Sequence, residues 1–258
     1  MELILFAVSA LPVVLVGGYI YKIDKNKEPW KMLLKLFLGG MFSIVLTLIL
    51  SFLLKLVFPF FADETLLNNI ELIVFVFIGV ALIEEFSKWI MLYVLSYNDR
   101  DFDEFYDMII YGVFVALGFA FFENLFYVYE GGIGTGILRA ILTVPGHACD
   151  GVFMGYFLGL AKVTAIKGKK SDETKYKLLS LLVPVLLHGF YDDCLFVSNL
   201  EFIGLFLIFV ILLFVFSVKK VKRVSKMGVR VRFKNRFCTN CGTPVKSQFC
   251  PNCGNENE

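Results

Sequence analysis

The chain has 258 residues, of which 58% are hydrophobic and 16% aromatic, with 25 basic against 23 acidic side chains and a mean hydropathy of +0.74. That composition excludes an ordinary soluble domain and predicts an all-α polytopic membrane protein. Six cysteines, four of them clustered near the C-terminus, do not form the pattern of a secreted disulfide framework.

Apolar runs long enough to span hydrocarbon fall near 3–21, 33–57, 70–95, 108–129, 137–161, 178–197 and 202–218, which predicts about seven transmembrane helices. Glu2 stands where a signal peptide would carry basic residues, so the first run reads as a retained helix. The segments 22–35, 96–107, 162–177 and 219–258 hold 22 of the 25 Lys and Arg residues, and the alternate loops hold none. By the positive-inside rule this predicts a multi-pass cell-membrane protein with its N-terminus outside and its C-terminus in the cytoplasm. Lys55 and Arg139 lie near the outer ends of their spans. Both read as snorkelling cations, Arg139 with a second option of positioning a substrate.

The third run contains Glu84-Glu85-x-x-Lys88 where a membrane helix should be most apolar. A charge there costs roughly 2.5–3.5 kcal/mol on insertion scales, so such groups face a bundle interior or a water-filled cavity. Glu84 and Lys88 are an i,i+4 pair, and Glu85 is rotated about 100° from Glu84, so the two carboxylates can share one ammonium. The alternative is a structural ion pair between helices. Similar oddities follow: Glu123 with Asn124 in the fourth run, His147 with Asp150 in the fifth, and His188 with Asp192 in the sixth. Helix tilt would bring these groups into one layer. Such a layer suits hydrolysis, with a carboxylate as general base and imidazoles stabilising an oxyanion. His188 and Asp192, at i,i+4, would orient one imidazole. A metal held by the same residues competes, and spacing does not decide between the two. Cys149 and Cys194 read as small apolar groups. Gly151, Gly155 and Gly159 read as a close-packing helix face.

Taken together, Glu84-Glu85-x-x-Lys88, Phe119-x-x-x-Glu123-Asn124, His147 in Pro145-Gly146-His147-Ala148, and His188-Gly189-Phe190-Tyr191-Asp192 resemble the four motifs of the PrsW family of intramembrane proteases, a branch of the CAAX-protease-like superfamily. The resemblance covers the third to sixth runs in order. It implies Glu84 or Glu85 as the base, supported by Lys88, with Glu123 as a second acid or water-orienting carboxylate. His147 and His188 would be oxyanion or water ligands, with Asp192 completing the last motif. Apart from the resemblance, Asn124 and Arg139 are expected on the substrate side. The implied substrate is a single-span membrane protein such as an anti-sigma factor. The competing function classes are a non-catalytic membrane protein that binds a peptide, ion or bacteriocin-like ligand, an immunity-type role included, and, more weakly, a transporter.

The chain then divides into a membrane domain (1–218), a basic juxtamembrane linker (219–236) and a tail (237–258). The linker reads as a lipid-headgroup anchor in preference to a nucleic-acid patch. In the tail, Cys238, Cys241, Cys250 and Cys253 form two Cys-x-x-Cys-Gly knuckles, the pattern of a tetrahedral structural Zn²⁺ site in a small cytoplasmic ribbon. A redox dithiol pair is the alternative. The ribbon's partner is not legible in the sequence.

Overall fold

The computed structural model describes residues 2–62, 67–99, 101–196, 200–231, 238, 240–243 and 250–255. They form α1 (Glu2–Ile23), α2 (Trp30–Val57), α3 (Asn69–Val74), a π-helical stretch (Phe75–Leu82), α4 (Ile83–Ser96), α5 (Phe105–Ile141), α6 (Thr143–Ile166), α7 (Lys170–Phe196) and α8 (Leu200–Val224). The protein is thus an all-α polytopic membrane protein. Among the described residues five segments are long and apolar enough to cross a membrane: Glu2–Ile23, Trp30–Val57, Phe105–Ile166, Lys170–Leu195 and Ile203–Val224.

The 62-residue segment Phe105–Ile166 would be about 93 Å long if straight, three times the hydrocarbon thickness. It is two of the expected spans folded back on each other. The reversal is at Gly132, with φ 75° and ψ −167°, a conformation essentially restricted to glycine. The two arms then run antiparallel with backbones in contact. A Cβ on Gly155 would overlap the Met108 carbonyl, one on Gly151 the Gly112 carbonyl, and one on Gly159 the Phe105 ring. The expected small-residue face therefore lies against the first arm of α5.

That first arm is the centre of the bundle. From Phe105 to Ala120 nearly every residue is buried, as befits a helix that is apolar on all sides. Its start is fixed by Glu104 and Asp107, whose carboxylate Oδ2 accepts from the Glu104 amide at 2.6 Å in a capping box. Next to that start the chain beyond α8 is clamped: the Phe105 amide donates to the Val229 carbonyl and the Val231 amide to that of Asp103.

The expected continuous span at 70–95 is instead three pieces, α3, the π-helical stretch and α4, along one helical path. Asn68 caps α3, its Oδ1 accepting from the amides of Ile70 and Glu71 at 3.0 Å each. The wider π turn ends one residue before Ile83 and sets the facing of Glu84, Glu85 and Lys88; such turns recur at functional sites. Two other boundaries shift. The basic 162–177 loop contracts to a turn, because α6 runs to Ile166 and α7 begins at Lys170. The first residues of the linker continue α8 to Val224, since the last turn of a helix favours cations. Arg232, Lys234 and Arg236 of the linker, and Phe237 and Phe249 of the tail, lie outside the described residues. Lys55 is exposed in the last turn of α2, as a snorkelling cation would be.

Candidate active site

Lys88 is 1% exposed, yet its ammonium is surrounded by side chains of α4, α5 and α6. Its ammonium donates to Glu85 Oε1 at 2.7 Å, stands 3.5 Å from Glu84 Oε2, meets His147 Nδ1 at 3.3 Å and sits 3.9 Å above the Phe119 ring. The two glutamates do share one ammonium, but the closer partner is Glu85 at i,i+3 and not Glu84 at i,i+4. Because an ammonium has only hydrogens to offer, His147 Nδ1 is the acceptor, and its Nε2 donates to Glu123 Oε2 at 3.0 Å.

His188, on α7, makes the second junction. Its Nδ1 lies 2.8 Å from Glu85 Oε1, and its Nε2 lies 3.2 Å from Asp192 Oδ2 and 3.8 Å from Glu84 Oε2. Carboxylates accept, so both ring nitrogens are used as donors. The expected i,i+4 pair with Asp192 is present. The two imidazole rings meet edge to face with centroids 5.3 Å apart.

Arg139 departs from a purely snorkelling cation. Across the Gly132 hairpin its guanidinium donates to Glu123 Oε2 at 2.6 Å and to Asn124 Oδ1 at 2.8 Å, and it lies over the Tyr127 ring. The hairpin brings 123–127 and 139 to the same level, where a half-buried carboxylate attracts the guanidinium more strongly than the nearby interface does. Asn124 is fully buried and donates to the Ser9 carbonyl of α1 at 3.2 Å. It therefore supports Arg139 from behind and does not line the cavity.

The groups converge on one cavity of about 430 Å³ lined by Glu84, Glu123, Arg139, His147, His188 and Asp192, among others. Glu85 and Lys88 lie behind its wall. Asp150, which sequence reasoning noted but gave no role, also lines the cavity. It sits three residues after His147 on α6, and that i,i+3 spacing was the available signal. Ligand atoms of Glu85, His147, Asp150 and His188 all lie within 4.8 Å of one another, a buried group dense enough to hold a metal ion. Oxygens Glu84 Oε2, Glu85 Oε2 and Asp150 Oδ1 are buried without hydrogen-bond partners. These are spare acceptors, as a bound cation or water requires.

A second cluster, Cys238, Cys241, Cys250 and Cys253, could also hold a metal ion. Sγ–Sγ distances are 3.6 Å for Cys238–Cys253 and 3.5 Å for Cys241–Cys250. The two knuckles are built alike, with the Gly242 amide donating to the Cys238 carbonyl at 2.8 Å and that of Gly254 to Cys250 at 2.9 Å. Gly242 and Gly254 have φ of 70° and 71°, which is why glycine closes each turn.

A family profile described as "PrsW family intramembrane metalloprotease" matches residues 28–218. Curated proteins called "Protease PrsW" are similar to the chain. That of Halalkalibacterium halodurans is 40% identical over 151 residues, 58% of this chain and 68% of the relative. That of Oceanobacillus iheyensis is 33% identical over 215 residues, 83% and 93% of the two chains. That of Clostridioides difficile is 32% identical over 241 residues, 91% and 97%. No solved structure matches the chain. With the profile covering most of the chain and the polar groups of four helices meeting at one cavity, the chain belongs to the PrsW family of intramembrane proteases.

Proposed function

We propose that the protein hydrolyses a peptide bond of a single-span membrane protein with Glu84 as general base; an anti-sigma factor is the example that the family resemblance implies. One observation carries the choice between the adjacent glutamates. Glu84 lines the cavity and is 13% exposed, whereas Glu85 is fully buried and tied through Oε1 to Lys88 and His188. In this reading Glu84 takes a proton from water as the water oxygen bonds to the scissile carbonyl carbon. The oxyanion meets the guanidinium of Arg139, which lines the cavity and has N–H groups beyond those given to Glu123 and Asn124. Collapse breaks the C–N bond, and the proton held by Glu84 passes to the departing nitrogen. Lys88 and Glu85 hold His147 and His188 in place, Glu123 holds Arg139 and His147, and Asp192 orients His188.

The donor cluster favours a second reading, in which a divalent metal ion is held by Glu85, His147, Asp150 and His188. Such an ion would lower the pKa of a bound water and polarise the carbonyl. Lys88 would then have to leave its place between Glu85 and His147, and Glu84 would remain the base on the cavity side.

Orientation and tail complete the proposal. The basic-loop asymmetry supports an N-terminus outside and a C-terminus in the cytoplasm. The division into a membrane domain (1–218), a juxtamembrane linker (219–236) and a ribbon (237–258) follows the same pattern. The tail thiols suit structural Zn²⁺, since four sulfurs at about 2.3 Å from zinc would stand roughly 3.8 Å apart, close to the 3.5 and 3.6 Å found. The test is cleavage of a co-expressed single-span candidate, with enzyme abundance followed in parallel. Glu84→Gln should abolish cleavage at unchanged abundance, and Cys149→Ala should leave it intact. Full activity of Glu84→Gln would overturn Glu84 as the base. A chelator applied to a variant without the ribbon separates the two readings: only the metal reading expects loss of cleavage.

A further inference from the structure

Outside the active site, a groove of about 910 Å³ lies between α6, α7 and α8. Its walls are apolar, built from residues such as Phe153, Leu160, Phe209, Leu212 and Phe216. Its charges are of one sign: Lys219, Lys220 and Arg223 on the last two turns of α8, and Lys167 just past the end of α6. Among the described residues none of these four forms an ion pair with a carboxylate, although ion pairs are common elsewhere in the bundle. Lys220 instead stands 3.6 Å from the centroid of Tyr156, a contact that holds its ammonium at the groove wall. Four unneutralised cations at the end of an apolar slot call for an amphiphile with an anionic head.

The dimensions agree. From Leu213, at the apolar end, to Arg223, at the basic end, α8 rises about 15 Å, half the roughly 30 Å thickness of bilayer hydrocarbon. The groove is therefore one leaflet deep, with its cations at headgroup level and its walls along the acyl region. The volume is also that of a ligand site at the upper end of the usual range of roughly 300–1,000 Å³. A substrate helix fits less well, because it would bring no compensating negative charge to the basic end.

We infer that this groove is a binding site for an anionic glycerophospholipid, its phosphate on Lys167, Lys219, Lys220 and Arg223 and an acyl chain against α6 and α8. Basic pockets between membrane helices are suited to such headgroups. Leu187 and Leu213 line both this groove and the active-site cavity. A seated lipid thus supports α8 where it walls the cavity.

The test is thermal unfolding of the whole chain in neutral detergent, with added phosphatidylglycerol or phosphatidylcholine of matched acyl chains. Phosphatidylglycerol should raise Tm by roughly 5 °C more than phosphatidylcholine at saturation. The triple variant Lys167→Gln/Lys219→Gln/Arg223→Gln should lose most of that difference. Leu212→Trp, which fills the apolar part, should lose it too with all four cations kept. A control variant of another basic loop, Lys22→Gln/Lys25→Gln/Lys31→Gln, should retain it. Equal shifts with both lipids, a full difference in the triple variant, or loss in the control would each overturn the site. The readout is Tm and not cleavage, so it stands or falls separately from the proposed peptidase.

Discussion

Two adjacent glutamates have different surroundings at residue scale, and the difference predicts different phenotypes. Glu84→Gln keeps the volume of a cavity-lining side chain and removes only its basicity, so cleavage should fall by about 10²-fold or more with abundance unchanged. Glu85→Gln weakens the acceptor of Lys88 and His188, both nearly fully buried. Breaking a buried pair outright costs about 3–5 kcal/mol, and Gln retains part of the hydrogen bonding. Glu85→Gln should therefore lower Tm and abundance along with activity. Equal abundance of the two variants, measured by immunoblot and thermal melt, would contradict this division.

Helix packing sets two further expectations at the scale of elements. Gly155 of α6 lies against the Met108 carbonyl of α5, so Gly155→Val must push the two helices apart. Overpacking of this kind costs about 1–3 kcal/mol or more. A matched Gly204→Val on α8, where nothing lies within 4 Å, should cost far less, and relative abundance in membranes checks the pair. The other concerns the turn between α1 and α2. Burial, together with the charges of Asp24 and Asp103, raises Glu28 to about 7, against the opposing hydrogen bond from Tyr111. A carboxyl whose folded pKa lies above its unfolded value contributes its stability fully below the unfolded pKa and loses it as pH rises through the folded one. Tm should therefore decline between about pH 5 and about pH 8, and Glu28→Gln should flatten the decline. A Tm that rises over this range in the parent, or an unchanged slope in Glu28→Gln, would refute the assignment.

At the scale of the whole molecule the proposed orientation and the proposed zinc are open to direct measurement. Reporters fused within 58–69 should be active outside and those within 162–177 inside; the reverse pattern would invert the topology. Metal analysis of the whole chain should give one zinc fewer per chain in Cys238→Ser/Cys253→Ser than in the parent, whatever the membrane site holds. No difference would exclude the ribbon as a zinc site. Loss of zinc should leave the helical bundle folded, because the four cysteines lie beyond α8 and contribute nothing to the α5–α6 core.

The sequence by itself determined the membrane class, the approximate spans, the polar residues Glu84, Glu85, Lys88, Glu123, His147, His188 and Asp192, and the cysteine knuckles. These are legible because hydrocarbon makes each charge costly and each span long, so that local composition carries the information. Only the tertiary structure decided which glutamate faces the cavity, because one residue of helix is about 100° of rotation and the π-helical stretch before Ile83 alters that angle without a composition signal. Likewise, Arg139 reads from sequence chiefly as a snorkelling cation. It meets Glu123 and Asn124 only because Gly132 reverses the chain between them. Asp150 gained its place beside Glu85 and His188 from the close approach of helices far apart in sequence. Partners set by helix rotation and by contacts across the bundle depend on the packing of all the helices together, and no single stretch of sequence contains that.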